Sequence, residues 1–230
     1  MKHILKHLVA GLTLISSFTA TANMIHVIDF TGDNQGVQDN FYFEEVGVGL
    51  TVSAWAGNVN SAQDILMPFG QIAGLDPVSA DPLGVYKGSS GLGVRSNGED
   101  GYDLDGGSSD ELDDLDEALL FEFSETVNFL GFAAGDLSSN DDLNLSVVNF
   151  ISDTEIELTD VFIDRHAIMD EVEIFDVFPG ILGSTFLVLV DGNDDDVRIV
   201  DTAFIKVPEP SALAIFALML LAVSFKGRRS

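Results

Sequence analysis

Apolar and polar residues alternate with a period of two along most of the chain, and this alternation constrains the fold more than any other feature. The clearest runs are 46–55, 119–124 and 143–148. Successive side chains of a β-strand point to opposite faces, so these runs predict strands with one buried face. No long helical period occurs between residues 23 and 206, which predicts an all-β domain. Further strands are predicted at 25–30, 127–132, 154–158, 172–178, 186–190 and 197–207.

Clusters of glycine, asparagine and aspartate separate the predicted strands, because these residue types tolerate the backbone conformations of tight turns. Many short strands joined by such turns predict an antiparallel β-sandwich of a jelly-roll-like kind. The chain contains no cysteine, so no disulfide can stabilise the domain. Its 17 phenylalanines and its aliphatic residues must therefore supply the core.

The first 22 residues predict a secretory signal peptide. Lys2 and Lys6 give a positive start, and residues 8–18 are mostly apolar. Ala20 and Ala22 form the small-residue close that a signal peptidase reads. The apolar core is too short to span a bilayer comfortably, so we expect export with cleavage before Asn23 rather than a permanent anchor.

The C-terminal segment, 207–230, predicts a short membrane helix. Pro208 and Pro210 cannot join a helix interior, and Ser211 is a good N-cap, so the helix is expected to begin after Ser211. The uncharged run that follows, 212–225, has no polar face. A membrane-spanning helix is therefore favoured over a buried amphipathic one.

The predicted helix is short for spanning a bilayer. Its 14 residues would extend roughly 21 Å along the helix axis, whereas a hydrocarbon core is about 30 Å thick. Flanking residues or local bilayer thinning would make up the difference. The cations that follow the run favour a cytoplasmic C-terminus.

Together these C-terminal features resemble the sorting signal of PEP-CTERM proteins. The residues that carry the resemblance are a Pro-Glu-Pro motif with its flanks and a terminal basic pair: Val207, Pro208, Glu209, Pro210, Ser211, Arg228 and Arg229. The resemblance implies recognition by an exosortase, a membrane-embedded cysteine transpeptidase of Gram-negative bacteria, and removal of the anchor near the two prolines. It also implies delivery to the cell surface or the extracellular matrix, often together with exopolysaccharide.

The segment between the two signals, 23–206, is strongly acidic. The whole chain has 38 acidic and 10 basic residues, and the two end segments contain five of the bases and one of the acids. The central segment therefore has 37 acids against 5 bases, a formal charge of −32. This charge excludes nucleic acid as a partner, because phosphate binding requires the opposite sign. It suits divalent cations, which would relieve the self-repulsion.

Carboxylates are the only abundant reactive groups, and one dense cluster lies in a predicted turn between strands. Calcium takes about six to eight oxygen ligands from carboxylates, amides and backbone carbonyls. The best candidate calcium ligands are Asp191, Asn193, Asp195 and Asp196. Their spacing resembles the start of an EF-hand loop, but Asp196 stands at the position of the turn glycine and Thr202 at that of the bidentate glutamate. A strand-end calcium site and a solvated acidic face remain the alternatives.

Trp55 is the candidate for binding a sugar. It alternates with Val52 and Ala54 and falls on the Gly47 and Thr51 face of its strand. If that face is exposed, the indole could stack against a pyranose ring. Packing of the indole in the core is the alternative.

Catalysis has little support in the sequence. The predicted domain contains two histidines, His26 and His166, and neither belongs to a metal-binding pair or to a G-x-S-x-G motif. Paired carboxylates could serve a polysaccharide hydrolase, but so many acids make any one pair uninformative.

The sequence thus predicts three segments: a signal peptide at 1–22, an acidic β-sandwich ectodomain at 23–206 and a sorting signal at 207–230. The function it favours is a non-catalytic, exported surface or matrix protein. Its expected partners are signal peptidase, exosortase, the inner membrane as a transient anchor, and exopolysaccharide. The alternatives are a calcium-dependent carbohydrate-binding module and a hydrolase.

Overall fold

A computed structural model describes residues 24–57, 67–68, 84–95, 104–105, 116–137, 141–152, 155–166, 172–190 and 196–207. All the regular structure in these ranges is β-strand, which confirms the predicted all-β fold. The strands lie in one compact unit, Ile25–Ile205, and the last of them continues to Lys206. A second unit, 1–24 with 206–230, falls almost wholly outside the described residues.

The described residues form strands of very different length. In chain order they are β1 (Ile25–Asp29), β2 (Gly36–Gln38), β3 (Asn40–Glu45), β4 (Val48–Gly57), β5 (Met67–Pro68), β6 (Gly84–Lys87), β7 (Leu92–Arg95), β8 (Leu104–Asp105), β9 (Asp116–Gly135), β10 (Asp142–Ser152), β11 (Glu155–His166), β12 (Val172–Val190) and β13 (Asp196–Lys206).

The antiparallel pair of β9 and β12 links two groups of strands. Along its first half, β9 lies between β4 and the second half of β12, so that Leu119 is opposite both Ala54 and Val188. That group has the order β3, β4, β9, β12, β10, β11. Along its second half, β9 lies between the first half of β12 and β13, and β13 in turn pairs with β1, β7 and β8. The arrangement is consistent with a β-sandwich.

Both long strands were predicted as two strands each, and that division is wrong. The predicted breaks fall at 125–126 and 179–185, where the pairing of β9 with β12 shifts register between Gly183 and Thr185. A second register shift, between Asp176 and Ile181, lies near Gly131, whose φ of 130° is open to glycine but not to other residues. Such an irregularity bends a strand without ending it. Each strand therefore continues from one group into the other without a turn.

One aromatic core joins the two groups. Phe186 of β12 stacks on Phe129 of β9 with ring centroids 4.3 Å apart, and Phe123 lies 5.3 Å from Phe204 of β13. Phe129, Phe186 and Phe204 are completely buried. The aromatic residues counted in the sequence thus provide the core that the absence of disulfides requires.

A second, smaller cluster packs on the opposite face of the first group. It comprises Trp55, Ala118, Leu120, Val148, Leu187 and Leu189. Along β4 and β9 these residues alternate with members of the main core, so in this region both faces of the sheet are buried. Period-two patterning alone predicts only one buried face.

Candidate functional site

The predicted calcium loop falls mostly outside the described residues. Asp191, Asn193 and Asp195 are not described, and of Asp196 only the backbone is, as the first residue of β13. That backbone pairs with Asp105 of β8. The pairing brings the ends of two acidic segments together, because residues 96–105 and 191–196 both supply carboxylates. Across the described ranges, no three or more histidine, aspartate or glutamate side chains lie close enough to hold a metal ion.

Trp55 does not offer an open ring to a ligand. Its side chain is 8% exposed and packs in the smaller apolar cluster. The indole Nε1 donates a hydrogen bond to Ser53 Oγ at 3.2 Å. Of the two alternatives for Trp55, packing in the core is the one observed, because neighbouring strands place Leu120 and Leu187 on the same side of the sheet.

Lys87 is a buried cation that the sequence patterns did not single out. It ends β6, is 5% exposed, and its Nζ donates to the carbonyl oxygens of Thr31 at 3.3 Å and Asp33 at 3.2 Å. Gln35 N–H donates to the Lys87 carbonyl at 2.9 Å. The ammonium thus holds the loop that follows β1. The sequence feature that could have indicated this role is a single lysine at the end of a short apolar segment, in a chain with few cationic residues.

Two arginines also stabilise the fold through specific contacts. Arg165 lies over the rings of Phe162 and Phe175, 5.4 and 5.2 Å from their centroids, and donates to the Asp176 carbonyl at 3.1 Å. Arg198 Nε lies 3.3 Å from a carboxylate oxygen of Asp136. These cations therefore act within the domain, consistent with a surface that is dominated by carboxylates.

His26 lies in β1 and is half-buried, as its strand position predicted. Its Nδ1 is 4.0 Å from Glu45 Oε1, and its ring centroid is 5.6 Å from that of Phe204. These contacts tie β1 to β3 and β13. Of His166 only the backbone is described.

The first and last strands of the domain pair with each other. β1 and β13 are antiparallel over five residue pairs, from Ile25 opposite Ile205 to Asp29 opposite Asp201. The predicted cleavage residues Ala20, Ala22 and Asn23 lie just before β1, outside the described residues. Of the predicted sorting signal, Val207 is described, and it directly follows β13. Pro208, Glu209, Pro210, Ser211, Arg228 and Arg229 are outside the described residues.

Two carboxylates on these strands have shifted pKa values. Asp29 accepts hydrogen bonds from the hydroxyl and the amide of Thr31, at 2.6 and 2.8 Å, which lower its pKa. Burial raises the pKa of Asp201, and the charge of Asp29 directly opposite raises it further. A backbone hydrogen bond from Ala133 acts in the other direction on Asp201. The β1–β13 pair thus contains one site of like-charge repulsion.

Exposed apolar side chains lie on several strands, among them β1, β3, β10 and β12. Ile25 at the start of β1 is 62% exposed. On β12, Phe178 is 91%, Ile174 69% and Leu182 64% exposed. The predicted strand 172–178 gave no sign of this exposure, because a strand pattern does not show which face a neighbour covers.

No family model, no curated protein and no solved structure matches this chain. Among the residues that the structure describes, no helix is long and apolar enough to cross a membrane.

Proposed function

We propose that this chain is the precursor of an exported, non-catalytic surface or matrix protein. A signal peptide at 1–22 directs export, and a PEP-CTERM-like signal at 207–230 anchors the acidic domain until an exosortase removes the tail. The domain itself is proposed to be a jelly-roll-like sandwich, an interpretation supported by the single aromatic core that β9, β12 and β13 share. The mature protein then associates with exopolysaccharide.

The observation that carries the proposal is where the domain starts and stops. β1 begins at Ile25, two residues after the expected signal-peptide cleavage, and β13 ends at Lys206, two residues before Pro208. A strand that is hydrogen-bonded in a sheet resists proteolysis, whereas residues beyond it are open to it. Two processing events at these positions would release the whole sheet without cutting a strand.

Mass spectrometry of the protein recovered from cells and medium tests both ends at once. We expect the mature protein to begin at Asn23 and to end near Pro208–Pro210. A variant with Pro208→Ala and Pro210→Ala keeps the apolar run, so it should remain in the membrane fraction with its tail intact. Deletion of 212–225 should release an unprocessed protein. If the double variant is cut and sorted like the parent chain, the tail does not act as a sorting signal.

A calcium-stabilised form of the same protein is a second candidate, and the pairing of β8 with β13 favours it. Asp105, the last residue of β8, is opposite Asp196, the first residue of β13, and the sequence places Asp191, Asn193 and Asp195 directly before Asp196. Calcium bound there would stabilise the native state by about 2.7 kcal/mol at 100 times its Kd.

The test is the melting temperature in millimolar calcium and in a chelator. We expect a higher melting temperature with calcium, and the difference should be lost in the variant with Asp191→Asn and Asp195→Asn. The exposed Asp39→Asn is the control for removing a negative charge elsewhere. An equal response in both variants would place any calcium effect outside this loop. A glycan array with and without chelator then tests carbohydrate binding.

A further inference from the structure

The outer surface of β3, β4 and β9 combines an exposed aromatic ring with polar side chains. The pairing of these strands places Tyr42 opposite Thr51, which is in turn opposite Glu122. Residues that alternate with them, such as Val52 and Phe121, are buried in the main core. This row of side chains therefore points to the face opposite that core. We call six residues of this face the tyrosine patch: Tyr42, Glu44, Thr51, Ser53, Glu122 and Ser124.

The ring of Tyr42 lies along the sheet and is 63% exposed. A Cβ atom at Gly49 would be only 2.6 Å from Tyr42 Oη and 2.9 Å from Cε2. The ring thus leans from β3 over Gly49, its diagonal neighbour on β4. Gly49 is buried beneath a ring that is itself largely exposed, so the ring offers a solvent-facing apolar surface.

Hydroxyl groups beside the ring are held in place by hydrogen bonds to the sheet. Ser124 Oγ accepts from the Gly49 amide at 2.9 Å, and Ser53 Oγ accepts from the Trp55 indole at 3.2 Å. A serine hydroxyl has one donor and two acceptor lone pairs, so each of these two can still donate and accept once more. The buried Trp55 thus positions a polar group of the patch.

The dimensions of the patch exceed those of a single sugar ring. From β3 to β9 is two strand spacings, about 10 Å, and from Gly49 to Ser53 along β4 is about 14 Å. A pyranose whose hydroxyls are all equatorial has an apolar face of axial hydrogens and a rim of hydroxyls. Its apolar face fits an aromatic ring, and its rim fits the polar groups around that ring.

The charge of the patch indicates which sugars it would accept. Glu44 and Glu122 are acceptors for sugar hydroxyls, and the six residues include no cation. The segment 23–206 has a formal charge of −32, so a polysaccharide rich in uronic acids would be repelled. A neutral glycan meets no such repulsion.

We propose that the tyrosine patch binds a neutral polysaccharide of glucose-type pyranoses, with one sugar ring stacked on Tyr42. The inference deepens the proposed association with exopolysaccharide and rests on it for the biological partner. Binding itself is a property of β3, β4 and β9 and does not depend on how the ends of the chain are processed.

Covering Gly49 is also a structural role for Tyr42, because an aromatic ring over a strand glycine stabilises the strand pair. That role does not require the hydroxyl and carboxylate groups around the ring. Phe150 on β10 is another exposed ring, 50% exposed and outside the patch. Its removal is therefore the matched control for the loss of an exposed aromatic side chain.

Isothermal titration calorimetry of the full chain tests the proposal with two probes, cellohexaose and a hexamer of galacturonic acid. The protein is kept in a zwitterionic detergent, since a detergent with a sugar headgroup would compete. The variants are Tyr42→Ala, Tyr42→Phe, Gly49→Ala and Phe150→Ala. Melting temperatures establish that each variant is folded.

We expect cellohexaose to bind the parent chain at millimolar concentrations. Tyr42→Ala should weaken binding by about tenfold or more, as the loss of a central aromatic contact does. Tyr42→Phe keeps the ring and should bind within about threefold of the parent. Gly49→Ala leaves the ring present but displaces it, so it should also weaken binding, whereas Phe150→Ala should have no effect.

Gly49→Ala keeps the test decisive if Tyr42→Ala does not fold, because Gly49 lies within β4 and its φ is not positive. Parent-like binding by Gly49→Ala together with parent-like binding or misfolding of Tyr42→Ala would refute the site. Equal losses in Tyr42→Ala and Phe150→Ala would refute its specificity. Equal binding of the galacturonate hexamer would refute the preference for a neutral glycan.

Failure of this inference and failure of the proposed function are distinguishable. A parent chain that does not bind cellohexaose refutes the patch as a binding site, while the mature ends found by mass spectrometry still test export and sorting. Unprocessed ends combined with binding that depends on Tyr42 would refute the proposed sorting and support the patch.

Discussion

Replacement of Lys87 by methionine is expected to destabilise the domain by about 2–4 kcal/mol. Methionine keeps most of the apolar stem but lacks the ammonium, so the carbonyls of Thr31 and Asp33 both lose a charged donor. A buried polar group left without its partner costs about 1–3 kcal/mol. The expected loss for the two carbonyl groups is less than twice the upper value, because Asp33 is exposed and water can replace part of its interaction with the ammonium.

Urea unfolding followed by circular dichroism measures the change. With a slope of about 2 kcal/mol per molar urea, typical of a domain of this size, the midpoint should fall by about 1–2 M. Hydrogen exchange should accelerate most at the amides of Gly32 and Gln35, which bond to the carbonyls of Ser89 and Lys87. These amides lie in the loop that Lys87 holds.

Lys206→Met is the matched control, since it removes the same charge from the same acidic chain. Lys206 is half-buried at the last position of β13, so its replacement should cost less than that of the buried Lys87. If the two variants unfold at the same urea concentration, the effect reflects net charge. A Lys87→Met midpoint within 0.25 M of the parent value would refute the assignment of Lys87 as the support of this loop.

Two further substitutions test the pair of chain ends and the bend in β9. Asp201→Asn should stabilise the domain at pH 7 by about 0.2–1 kcal/mol, the range for cross-strand pairs. This gain should vanish in acid, because the folded-state pKa of Asp201 is raised and the parent side chain is then protonated; a gain that persists at pH 3 would contradict the repulsion from Asp29. Gly131→Ala should cost more than 3 kcal/mol in thermal unfolding, because its Cβ would meet the Phe175 carbonyl and lie 3.0 Å from Asp176 Cα. Gly32→Ala, also at positive φ but with open space around it, should cost about 1 kcal/mol.

The alternation of apolar and polar residues predicted some of the observed strands well and others poorly. Alternation identified β1, β4, β10 and β13 to within a few residues, because successive side chains of a strand point to opposite faces and leave a period of two in the sequence. The same rule divided β9 and β12 wrongly. The predicted breaks, 125–126 and 179–185, coincide with a register shift in the pairing of β9 with β12, which interrupts the alternation without ending either strand.

The burial and contacts of the candidate site residues depended on tertiary structure more than the positions of the strands did. The exposure of Trp55 could not be derived from β4 alone, since its burial comes from Leu120 and Leu187 on neighbouring strands. The role of Lys87 likewise depends on carbonyl groups more than fifty residues away in the chain.

The sequence by itself determined the all-β class, the need for a core without disulfides, the acidic character and the expectation of two terminal signals. These properties follow from composition and from short-range periodicity, which each residue and its near neighbours define. Only the tertiary structure decided that β1 pairs with β13 and that two long strands continue through both groups. The physical reason is that pairing and burial depend on contacts between residues as far apart as Ile25 and Ile205, and no local pattern encodes which distant strand will cover a given face.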